Sequence, residues 1–138
     1  MAAIKKSVRL VDNTVDVCRV FSRLAKHQVD NEVNWSGSLN AMADEYRIVM
    51  EENKPELGDN QWNALYCLYN GYMPSEDAQR EARLLSWHVS EGYQYDIQVT
   101  EFLGSKEDAI AFIEDIKTWS LTKQLSAIYH AKKFWTEQ

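Results

Sequence analysis

Turn-forming residues are scarce in this chain, and that scarcity does most to limit its fold. Five Gly and two Pro are spread over 138 residues. These breaks fall between segments of helical periodicity rather than within them. That pattern favours helices over many short strands. No internal repeat or low-complexity tract interrupts it. The expected fold class is all-α: a compact bundle of about five or six helices, forming a single helical domain over residues 1–138.

The helices can be placed from stripes and stops. Residues 13–29 carry Val15, Val17, Cys18, Val20, Phe21, Leu24, Ala25 and Val29 on one broad side, with Asn13 as a cap. Residues 38–53 place Leu39, Met42, Ala43, Tyr46, Val49 and Met50 on one stripe and leave Ile48 on the polar side. Lys54–Pro55 ends that segment. Asp59 can cap a third helix that stops at Asn70–Gly71. Ser75 can open a fourth, with Ala78, Ala82, Leu85 and Val89 on one side.

Residues 92–104 are ambiguous. Tyr93, Tyr95, Ile97 and Val99 alternate as in a strand, whereas Tyr95, Val99 and Phe102 fit a helical stripe. A lone strand needs a partner for its backbone, so helix is the preferred reading. Ser105 and Asp108 stand at capping-box spacing before a core face of Ala109, Phe112, Ile113 and Ile116. A last helix over about 121–136 places Leu121, Leu125, Ile128, Lys132 and Trp135 along one line.

Apolar residues make up 45% of the chain and aromatic residues 12%, enough large side chains to build a core and to argue against intrinsic disorder. No apolar run reaches the roughly 20 residues that span a bilayer. The start, "MAAIKKSVRL", lacks the apolar segment of a secretory leader, so a cytoplasmic location is expected. Cys18 and Cys67 should then be reduced and inert, and the sequon at Asn34–Ser36 is read as a chance match.

Net charge is −6, with residues 1–36 at +2 and the remainder at −8. An acidic body repels nucleic-acid phosphate. Arg19, Arg23, Lys26 and His27 could line the polar side of the first helix, but a solvated face is the simpler reading. Nucleic acid and membrane are therefore not expected partners.

Catalytic signatures are missing. A di-metal carboxylate bundle needs Glu-x-x-His, and the chain offers only His88-x-x-Glu91 and His27-x-x-Asp30. There is no glycine-rich phosphate loop, no nucleophile elbow and no HExxH. No catalytic residue, cofactor or metal is assigned. "QWNALYCLYNGY" (61–72) places Trp62, Tyr66 and Tyr69 on one helical stripe, read as core-facing, with Cys67 away from it and Tyr72 beyond the stop.

"LNAMADEYR" (39–47), "KPELGDNQWNAL" (54–65) and "FW" (134–135) together resemble a group of small bacterial, phage and plasmid proteins of unknown function. The resemblance implies a helical fold and a mobile-element setting. It carries no functional residue to this chain.

The leading expectation is a non-catalytic accessory or protein-interaction module, such as an inhibitor or regulator. Trp, Tyr and Arg are favoured at interface centres, and acidic clusters steer basic partners. Candidate partner-binding residues are Asp44, Glu45, Glu51, Glu52, Arg19, Arg23 and Tyr72. Ile48 raises the further expectation of a homodimer. The alternative is a small-molecule binder or enzyme with an inter-helix pocket near Tyr66, Tyr69 and His88.

Overall fold

The computed structural model describes residues 3, 7, 9–25, 27–28, 32–71 and 98–138. The protein is all-α, with six helices and no strand among the described residues. They are α1 (Asp12–Phe21), α2 (Trp35–Glu52), α3 (Asp59–Gly71), α4 (Gln98–Leu103), α5 (Lys106–Thr118) and α6 (Leu121–Thr136). The expected fourth helix from Ser75 lies outside the described residues, as do Tyr93, Tyr95 and Ile97. Within the ambiguous segment Gln98–Leu103 is helix, and Val99 on it is fully buried. The chain divides into two compact units, Met1–Arg47 and Ile48–Gln138.

In the first unit, α1 is shorter than its apolar pattern predicts. The pattern continues to Val29, yet the helix stops at Phe21. Arg23 takes a left-handed φ of 56°, and Leu24 N–H reaches back to Arg19 O while Arg23 N–H bonds Val20 O. This is a Schellman stop with Arg where Gly is usual. Without a glycine the sequence gives no warning of it, and the left-handed residue costs roughly 1 kcal/mol or more. Arg23 and His27 therefore do not extend a basic face of α1.

The expected apolar side is also only partly internal. Cys18 is buried beside the Met42 thioether, but Val17 and Val20 are exposed, Val20 at 72%. Asn13 does not cap α1; Val11 occupies that position without a side-chain cap.

α2 starts three residues before the expected Ser38. Asn34 caps it, its Oδ1 accepting from Gly37 N–H at 3.0 Å. The asparagine of the chance sequon thus has a structural role. Ser22 and Ser38 share a 2.8 Å hydroxyl hydrogen bond. Within the expected α2 stripe, Met50 is buried but Ala43, Tyr46 and Val49 are exposed.

The second unit is built around α3, which packs on α4 and α6, with α5 packed on α4. Gly58, not Asp59, caps α3. Gln61 Oε1 accepts from Gly58 N–H at 3.0 Å, the return arm of a capping box, while Asp59 sits in the first turn where the dipole favours it. Gly104 has φ +96°, a conformation other residues adopt only with strain, and it turns α4 into α5. Ser105 then caps α5 by accepting from Asp108 N–H at 3.1 Å. All four expected α5 positions, Ala109, Phe112, Ile113 and Ile116, are buried.

α6 has the expected bounds but only part of the expected face. Ile128 is buried as expected, whereas Leu121 and Trp135 are exposed and the buried side also carries Gln124, Ala127 and Ala131. Alanines at 127 and 131 leave room for close backbone approach, so the small-residue side turns inward. Gln124 Nε2 donates to Trp119 O at 3.0 Å, closing the α5–α6 corner.

The core of this unit centres on Ala64, Leu65 and Leu68 of α3, all fully buried. Leu65→Ala should lower the unfolding free energy by about 2–5 kcal/mol, from lost transfer energy plus a cavity. Leu121→Ala, at an exposed position, should stay within about 0.5 kcal/mol. Urea unfolding of the two variants checks this, and equal effects would place the core elsewhere.

Candidate protein-binding face

The aromatic stripe of α3 does not form the centre of the core. Trp62, Tyr66 and Tyr69 are half-buried and pack against its edge. The fully buried face of Ala64, Leu65 and Leu68 lies roughly a third of a turn away, at 100° per residue. A tyrosine or tryptophan at a core edge can bury its ring and keep its polar group near water.

This placement builds a ridge from two helices. Trp62 stacks on Tyr66 with ring centroids 5.7 Å apart and planes at 27°. Tyr66 stacks on Phe134 of α6 at 4.0 Å and 5°. Phe134 meets Trp135 edge-on at 5.1 Å and 82°. Trp135 is 38% exposed, and its Nε1–H donates to Tyr66 O at 3.2 Å. Each ring is oriented by another ring or by a hydrogen bond. Rings held in this way retain little rotamer freedom.

Charge frames the ridge. Lys54 Nζ lies 5.3 Å from the Trp62 ring centroid, a cation–π contact. Lys133 Nζ and Glu51 Oε1 are 3.7 Å apart. Burial raises the Tyr66 and Tyr69 pKa values, so both phenols stay protonated near neutral pH.

Under one end of the ridge lies a hydrogen-bonded anchor. Met50 O is among the last four carbonyls of α2, which have no partner within the helix. Ser126 Oγ donates to it, and His130 Nε2 lies 3.4 Å from it. A carbonyl can only accept, so Nε2 of His130 carries the hydrogen. This explains two buried polar residues, Ser126 and His130, one turn apart on α6. Asn53 takes the neighbouring carbonyl, Val49 O, through its backbone N–H and its side-chain amide.

The candidate partner-binding residues are divided between the two units. Asp44, Glu45 and Arg23 are exposed and Arg19 is half-buried in the first. Glu51 and Glu52 are exposed in the second, where Glu51 is already engaged by Lys133. Tyr72 lies outside the described residues. Ile48, which the periodicity left on the polar side, is 45% exposed.

The alternative pocket is only partly described, since His88 also lies outside. Tyr66 has one ring face closed by Phe134, and Tyr69 packs on the core. A cleft of ≈ 460 Å³ opens between the start of α3, α4 and α5, lined by Asn60, Gln61, Phe102, Asp108, Phe112 and Asp115. Cys67 is half-buried, with Sγ 3.8 Å from Gln98 Oε1. Among the described residues, no group of three or more His, Cys, Asp or Glu side chains is placed to hold a metal ion. None of the described helices is long and apolar enough to cross a membrane.

No protein-family model, curated protein or solved structure matches this chain.

Sequence reasoning missed Phe134 and His130 as members of this face. The i, i+4 spacing of Ser126, His130 and Phe134 is the signal that links them: three consecutive turns along one side of α6. With the Tyr66 and Phe134 rings stacked at 4.0 Å, a double-mutant cycle with Tyr66→Ala and Phe134→Ala should give a coupling of about 0.5–1.5 kcal/mol. Strictly additive effects in urea unfolding would contradict the stack.

Proposed function

We propose that this chain is a non-catalytic protein-interaction module, and that the Trp62–Tyr66–Phe134–Trp135 ridge is its contact face. The observation that carries the reading is a two-helix aromatic ridge, oriented ring by ring and ending on a partly exposed Trp135. Large aromatic side chains contribute the dominant energies at protein interfaces when a partner excludes water around them. Preorientation reduces the entropy cost of that contact.

The electrostatic surroundings suit a protein rather than a polyanion. The chain carries a net charge of −6, which opposes nucleic-acid phosphate. Lys54 provides local positive charge beside the Trp62 ring, so an acidic or neutral partner segment is favoured at this face. The role would be that of an accessory, inhibitory or regulatory factor acting in the cytoplasm, consistent with the mobile-element setting that the sequence resemblance implies.

The test is affinity capture with the full chain from its native host, run beside a Phe134→Ala/Trp135→Ala variant whose helicity is confirmed by circular dichroism. The wild-type chain should recover one specific protein, or a second copy of itself. The variant should weaken that association by at least about tenfold, equivalent to 1.4 kcal/mol. Recovery of no specific protein, or equal recovery by both chains, would reject the reading.

A further inference from the structure

The anchor beneath the ridge contains a titratable group in an enclosed position. His130 is 7% exposed, with Nε2 directed at Met50 O. Trp62 of α3 meets its ring edge-on at 6.1 Å and 69°, and Tyr129 of α6 does so at 5.2 Å and 84°. Glu51 Oε2 on α2 lies 4.0 Å from Nε2. Two cations also act on the ring, Lys54 from the segment after α2 and Lys133 from α6.

We propose that His130 is an acid-sensitive latch: in its neutral form it holds the last turn of α2 against α6, and its protonation frees that turn. The neutral ring needs one acceptor, and Met50 O supplies it. A protonated ring adds a second N–H and a full charge at a position removed from solvent and faced by the Trp62 and Tyr129 rings. The carbonyl end of α2 attracts that charge, and burial opposes it. Glu51 attracts that charge, but it is exposed and already shared with Lys133. Lys54 and Lys133 oppose it.

Direction follows from linkage. Burial is the largest influence and lowers the His130 pKa; the Met50 hydrogen bond raises it, Lys54 lowers it, Glu51 raises it and Lys133 lowers it. The net displacement is downward from the ordinary histidine value near 6.5. A group depressed in the closed state contributes stability above about pH 6.5, and that contribution is lost as pH falls through the closed-state value. Opening is therefore favoured by acid, up to about tenfold for each unit of separation between closed and open pKa values.

The readout needs no partner, so it is independent of the proposed contact face. Met50 is buried and carries an NMR-visible ε-methyl group. In the full chain, a soluble paramagnetic probe should relax the Met50 methyl increasingly as pH falls below about 6.5. The midpoint should match the His130 ring titration, and the fully buried Ile116 methyl should stay protected. His130→Gln keeps an N–H donor for Met50 O and cannot become charged, so its Met50 methyl should remain shielded through the same range. Glu51→Gln should move the wild-type midpoint further down, since it removes an influence that raises the His130 pKa. The latch is overturned if His130 titrates while the Met50 methyl stays shielded. Equal acid exposure of Met50 in wild type and His130→Gln would also overturn it.

Discussion

The burial of one face of α3 organises the second unit. Ala64, Leu65 and Leu68 are removed from solvent together, and α4 and α6 pack on that helix. Burying such side chains contributes about 1.5–3 kcal/mol for each large aliphatic group. α4 supplies Val99, and α6 supplies Ala127, Ile128 and Ala131, to the same cluster. The small residues matter as much as the large ones, because they let backbones approach closely enough for the leucines to be enclosed. Once this face is turned inward, Trp62 and Tyr66 are left at the edge, where Phe134 and Trp135 can complete a ridge.

The edge position also accounts for the polar groups beside it. α2 ends against α6, so its terminal carbonyls would be enclosed without partners unless neighbouring side chains supplied hydrogens. Ser126 and His130 do so for Met50 O. These two residues would be costly inside an apolar core without that acceptor. The anchor joins the fold to the proposed latch: the same histidine that satisfies a helix end is the group whose charge would release it.

Much of this was legible in the sequence, for identifiable reasons. Ser105 with Asp108 announced the start of α5, and the spacing of Ala109, Phe112, Ile113 and Ile116 gave its buried face. The apolar pattern runs past the end of α1 because the stop uses Arg23 in a left-handed conformation instead of glycine. The Asn34 cap was hidden inside what read as a chance sequon. On α3 the expected stripe of Trp62, Tyr66 and Tyr69 packs against the core, while the neighbouring Ala64, Leu65 and Leu68 are fully enclosed. On α6 Ile128 is buried as expected, but Leu121 and Trp135 are exposed and Ala127 and Ala131 turn inward. The aromatic ridge is not legible in the sequence because Tyr66 and Phe134 are far apart in the chain and meet only when α3 and α6 pack.

The central claim is that the ridge, rather than apolar surface in general, is the contact face. Site-specific photocrosslinking in the native host tests it most directly, with a photoreactive side chain at position 135 in one chain and at position 110 in another. Ile110 is also exposed, and it lies on α5, which contributes no ridge residue. A discrete adduct from position 135 and none of the same mass from position 110 is the predicted result. No discrete adduct from 135, or the same adduct from both positions, would contradict the account.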